Sequence, residues 1–155
     1  MQELLLFLHP TFGVLGIIAA VWVFVEVLNA SPANHTRIKI AALLVALCMV
    51  LAWISGGYLY VFYYAADKAL ILKGPWPFAH TFFMEVKEHL FFITLVLALF
   101  LPVAAWSKNL AAHAPSRTVV LWAAALVVLS GLAIEGAGAA VALGVKMALA
   151  AGVTF

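Results

Sequence analysis

The sequence predicts an all-α integral membrane protein: a four-transmembrane-helix bundle with a short C-terminal interfacial helix. Two observations of composition carry this. The 155 residues are 68% hydrophobic with a mean hydropathy of +1.19. Only 9% are charged, where a soluble domain carries about a quarter. The third observation is length, because a span needs about 20 apolar residues and the chain offers four such runs. Residues 1–155 therefore read as a single membrane domain with the lipid bilayer as solvent. Nothing in the composition points to a nucleic-acid partner.

The first span is expected over residues 4–28 and the second over 38–64, long enough to tilt or protrude. NASPANHTR (Asn29–Arg37) between them reads as a loop, with Pro32 and an N-cap candidate at Thr36. AADKALILKGPWPFA joins spans two and three, and Gly74, Pro75 and Pro77 force a turn there. The third span covers 79–106 and contains Pro102, which removes a backbone donor. SKNLAAHAPSR leads to the fourth span, with Ser116 placed to cap it. The apolar run after Arg117 is too long for one crossing. Its expected weak point is Gly131–Ala140, giving a span of 118–138 and then a short helix that carries Lys146. Cys48 stands alone in mid-helix, so it forms no intrachain disulfide and reads as a small buried residue.

Basic residues in short loops set orientation. The face between spans one and two, and between three and four, holds Arg37, Lys39, Lys108 and Arg117 without an acid. The other face mixes Lys68, Lys73 and Lys87 with Glu3, Asp67, Glu85 and Glu88. Both termini are therefore expected on the outer face, which in a bacterial inner membrane is periplasmic. Met1-Gln2-Glu3 has no basic n-region, so the first run is not expected to be a cleaved signal peptide. A reporter fused at Ala112 should give a cytoplasmic signal, and a periplasmic signal there would reverse the topology.

Ionisable groups within a bilayer are expensive and mark function. His9 lies about five residues into the first span and His89 about ten into the third. At 1.5 Å per residue, tilt can bring the two to one level, where facing imidazoles would hold a haem iron. Small residues share this level on neighbouring helices: Gly13 one turn from His9, Gly56 and Gly57 in span two, Gly131 in span four. They make room for a flat macrocycle or for close helix packing. Glu135 lies among glycines towards the outer face, where it would contact the site, relay a proton or mark the helix exit. His80 falls on the face opposite His89, at the membrane surface, placed to serve a quinone or haem propionates. Lys87 points away from His89 and is expected to snorkel to the headgroups.

Other titratable groups have plainer readings. His35 and His113 are loop histidines on the inner face, and a second haem between them is not expected. Glu26 is expected to pair with Lys39 or Arg37. Tyr58, Tyr60, Tyr63, Tyr64 and Trp76 form an outer aromatic belt, with Trp106 and Trp122 on the inner side.

The first helix opens on Leu8-His9-Pro10-Thr11-Phe12-Gly13, and the third reads FFMEVKEHLFFITLVLAL (Phe82–Leu99). With four spans, this resembles the small membrane b-type haem proteins: cytochrome b561-like bundles, copper-resistance D-type domains and bacterial membrane protoporphyrinogen oxidases. The VKxxLxxxTLxLAL run is the closest part, and the likeness extends over about the first 106 residues. The resemblance implies bis-histidine haem b and one-electron chemistry. In the oxidase group a first-helix histidine and a third-helix lysine matter, which correspond to His9 and Lys87. The leading expectation is thus a haem b protein moving electrons between a quinol and a redox partner on the outer face, with His9 and His89 as axial ligands. One alternative is a non-catalytic subunit or assembly factor of a larger membrane complex. The other is a metal-ion site built from His9, Glu85, Glu88 and His89.

Overall fold

A computed structural model describes residues 1–154, and its regular structure among them is helical. Helix α1 spans Gln2–Leu28, α2 His35–Phe62 and α3 Tyr64–Lys73. A π-helical turn over Ala79–Met84 leads into α4, Glu85–Ser107, and α5 runs from Ala114 to Ala150. Four stretches are long and apolar enough to cross a membrane: Gln2–Leu28, His35–Phe62, Ala79–Ser107 and Ala114–Ala150. They make the chain an integral membrane protein.

The four spans form a ring in which α1 touches α2 and α5, and α4 touches the same two helices from the other side. Each contributes a buried stripe of alanine with valine or leucine at helical spacing. Ala20, Val23 and Val27 of α1 meet Ala41, Ala42 and Val45 of α2; Ala98, Leu101 and Ala105 of α4 meet Val120, Ala124 and Val127 of α5. All are within 1% of complete burial. In lipid, close backbone approach rather than hydrophobic collapse holds helices together, and short side chains permit it. Other apolar side chains point outward: Val96, Val103 and Trp122 are each more than 60% exposed on helices that face hydrocarbon. An interhelical hydroxyl pair adds to the packing. Thr94 Oγ1 donates to Ser130 Oγ at 2.7 Å, and Ser130 Oγ donates to the Leu126 carbonyl at 2.6 Å.

The two short interhelical loops close one end of the bundle. There Glu26 takes a 2.9 Å bond from Arg37 Nε, and Asn34 Nδ2 donates to the Glu26 carbonyl and carboxylate at 2.9 and 2.8 Å. Arg37, rather than Lys39, is the partner of Glu26; the Lys39 ammonium stands over the Trp106 ring. Helix α2 begins at His35 after Asn34, two residues earlier than a Thr36 cap implies. The α5 cap is the His113 side chain, which accepts from the Ser116 backbone N–H at 3.2 Å.

The opposite end corrects two expectations. Residues 64–73 are helical rather than loop, and no break occurs at Gly131–Ala140. Helix α5 continues through it for 37 residues, about 55 Å of helix against a hydrocarbon core about 30 Å thick. Among the described residues there is therefore no separate short C-terminal helix. The extension is held by close contacts with the segment that follows α2. Gly144 sits against Ala79 and Ile71, and Gly74 against Ala148, so α3 and the π turn form a cap over one end of the bundle. Tyr64, Ile71, Ala79 and Met84 make its own small core.

Candidate functional site

Beneath the cap, three ionisable side chains from three helices converge. His9 comes from α1, Lys87 from α4 and Glu135 from α5, and all three line one cavity of about 380 Å³. Helix periodicity puts them there. On α4 the buried stripe Ala105, Leu101, Ala98 and Thr94, continued in steps of three and four, lands on Phe91, Lys87 and Met84. On α1 the stripe through Val23, Ala20, Gly16 and Gly13 reaches His9, and on α5 the stripe through Val127 and Gly131 reaches Glu135 and Gly138.

Each of these side chains lies in a notch left by a glycine of the next helix. The His9 ring rests on Gly56 of α2, where an added Cβ would stand 2.5 Å from Cε1 and 2.7 Å from Nδ1. The Glu135 carboxylate overlaps the position a Cβ would take at Gly13 of α1, and Lys87 Nζ lies 3.5 Å from the corresponding point at Gly138 of α5. Glycine is required for proximity at Gly56 and Gly13, because there only a bare backbone lets the polar side chain lie flat against the neighbouring helix, whereas at Gly138 the spacing to Lys87 is ordinary contact.

His9 has a defined tautomer. Its Nδ1 is 2.9 Å from the Ala52 carbonyl oxygen, an acceptor only, so Nδ1 carries the proton and donates. Nε2 then presents its lone pair to the cavity and accepts from Lys87 Nζ at 3.4 Å. Pro10, within α1, donates no N–H to the Leu6 carbonyl one turn back, and both residues line the cavity. No carboxylate lies within 4 Å of Lys87 among the described residues; Glu26–Arg37 is the ion pair formed.

The cap supplies the cavity's remaining wall: Tyr63, Tyr64 and Asp67. Tyr64 OH is hydrogen-bonded to His80 Nδ1 at 3.0 Å, and its ring stacks on Tyr60. Burial raises both the Tyr64 phenol and the Asp67 carboxyl above their ordinary ranges. These aromatics do more than belt the membrane, since they roof the cavity that His9, Lys87 and Glu135 line.

The structure thus brings together His9, Gly13, Gly56 and Glu135, but not His89. His89 is exposed on the lipid side of α4, and its Nδ1 donates to the Glu85 carbonyl at 2.7 Å. Lys87 and His89 do point apart, as expected; the interior belongs to Lys87 and the snorkelling assigned to it does not occur. His80 is buried rather than superficial. Gly57 faces open space, and Gly131 receives Ile17 instead of lining a slot for a macrocycle. Among the described residues no three His, Cys, Asp or Glu side chains gather to hold a metal ion, so His9, Glu85, Glu88 and His89 do not assemble into one site. Gly138 is a site residue that the residue pattern did not single out, and Lys87, which the resemblance paired with His9, was otherwise expected to leave the interior for the headgroups. The signal was the Thr94–Ala98–Leu101 stripe, which selects position 87 rather than 89.

Comparison with protein-family models, with curated proteins and with solved structures finds no match to this chain.

Proposed function

We propose that the protein is a membrane-embedded haem b protein carrying out electron transfer, with His9 as the axial ligand. The observation that supports this most is the His9 tautomer: a backbone carbonyl orients Nδ1–H, and Nε2, which accepts from Lys87 Nζ, faces the cavity and would offer its lone pair to a bound group once Lys87 turns aside. A ligating imidazole commonly donates its other N–H in this way, which sets ring orientation and raises basicity. The residues fit the group on one side only, because His9 supplies an imidazole and no second one lines the cavity. The bis-histidine arrangement expected from the resemblance therefore gives way to a single-imidazole site.

When bound, haem supplies reversible one-electron chemistry. The chain's own part is positioning and charge. His9 holds its place through Ala52, Lys87 brings a cation to the cavity, and Glu135 brings a carboxylate that balances it. The pairing of His9 with Lys87 also matches the two positions singled out by the likeness to membrane protoporphyrinogen oxidases. Orientation follows the loop charges, so the cap and both termini face the outer side, where a redox partner would dock.

The visible spectrum of the purified protein tests this reading. A Soret band with high-spin features and about one haem per chain is expected. A colourless protein from haem-sufficient cells would overturn it and favour a subunit or assembly role.

A further inference from the structure

The end of the bundle closed by the two short loops carries an unbalanced charge. Arg37 and Lys39 of α2, Lys108 after α4 and Arg117 of α5 gather there against one acid, Glu26 of α1. Arg37 takes that carboxylate at 2.9 Å, the ion pair formed among the described residues, so Lys39, Lys108 and Arg117 keep their charge uncompensated. Lys39 bridges the groove between α2 and α4: its ammonium stands 5.5 Å from the centre of the Trp106 ring. Lys108 follows Trp106 by two positions. A cation–π contact orients the lysine but occupies only part of its three N–H donors. Further into the membrane the same faces turn apolar. Leu43 and Leu47 lie one and two turns from Lys39, and Val103 and Leu99 one and two turns from Trp106; the four are 45–66% exposed.

We propose that the mouth of this groove binds an anionic phospholipid, its phosphate held by Lys39 and Lys108 and an acyl chain laid along the apolar rows below. The surface matches that occupant from head to tail. Basic side chains beside a membrane span attract anionic headgroups, Trp106 supplies an amphipathic ring at the glycerol level, and the leucines and valines meet the chain. A zwitterionic lipid brings the same phosphate, but its own ammonium cancels the charge that this end leaves uncompensated. An acidic protein segment would answer the lysines yet have no use for the apolar rows within the hydrocarbon. The site lies at the opposite end of the bundle from the His9 cavity, so it does not depend on what that cavity holds.

The test uses the full-length chain in nanodiscs, with Trp22, Trp53, Trp76 and Trp122 changed to phenylalanine so that Trp106 alone reports. Its fluorescence is quenched with phosphatidylglycerol or phosphatidylcholine, each dibrominated on one acyl chain and added at equal mole fraction. The two leaflets of a nanodisc are alike, so the readout is independent of which membrane face this end meets. Quenching by phosphatidylglycerol is expected to show a relative affinity at least about fivefold higher, the effect of one basic side chain near an anionic surface. Lys39→Gln should lower that ratio about fivefold, and Lys39→Arg should keep it. Lys68→Gln, at the other end, should leave it unchanged. Inorganic phosphate in the buffer should not relieve the quenching. If the fourfold-substituted chain does not fold, native mass spectrometry of the wild-type chain released from mixed-lipid nanodiscs serves instead. It should find phosphatidylglycerol retained, and lost in Lys39→Gln. Equal quenching by the two lipids, or an unchanged ratio in Lys39→Gln, would overturn the proposal and leave this end to an acidic protein segment. Relief by inorganic phosphate would overturn it in favour of a free-anion site. None of these readouts involves haem, so failure here is distinguishable from failure of the haem reading.

Discussion

On the proposed haem reading, Gly56→Ala should strip most of the haem absorbance from the protein and lower its stability by about 1–3 kcal/mol, the usual cost of overpacking a tight core. The added methyl would sit 2.5 Å from His9 Cε1, and behind it is helix backbone that cannot yield. The imidazole must swing away, which breaks the 2.9 Å bond to Ala52 and unsets the tautomer. Gly57→Ala is the matched control. Its methyl enters open space, so both haem content and melting temperature should stay near wild type. Soret absorbance per protein and a thermal melt read both variants. Equal haem content in the two would show that the approach of His9 to α2 is not what orients it.

The second large effect is expected at the cap. In Gly144→Leu the new Cβ would stand 2.6 Å from that of Ala79 and 3.5 Å from Ile71 Cγ1, both residues completely buried. A leucine there must push the π turn and α3 off α5. Those elements carry Met84 and Tyr64, so the cavity loses its roof. Limited proteolysis should then cut the Gly74–Phe78 connection much faster than in wild type, again with a penalty of about 1–3 kcal/mol. Unchanged protease resistance would mean that α3 is not held by α5.

The course of the four spans was legible because a membrane helix announces itself by length and apolarity alone. The end of α5 was not. Gly131, Gly136 and Gly138 look like a helix break in isolation, whereas in the structure glycines of α5 are contact points: Gly131 receives Ile17 and Gly138 receives Lys87. What carries the helix onward is packing between segments far apart in sequence, Gly144 on Ala79 and Gly74 on Ala148, which no local pattern reveals. His9 and Glu135 were legible as ionisable groups within apolar runs. The choice of His89 over Lys87 followed the preference of haem for imidazole, while the rotation of α4 is set by its small-residue stripe. That stripe places Thr94, at 0% exposure, on the inside and Val96, at 66%, on the outside. Position 87 falls with the first and position 89 with the second.

The central claim is that His9, and not His89, holds the bound group. It is tested most directly by visible spectra of His9→Ala and His89→Ala purified side by side with wild type. His9→Ala is expected to lose the Soret band, with recovery when imidazole is added to the medium. His89→Ala is expected to match wild type in band position and haem content, because its side chain faces lipid and bonds only to its own helix. Loss of haem from His89→Ala, with His9→Ala unchanged, would contradict the assignment.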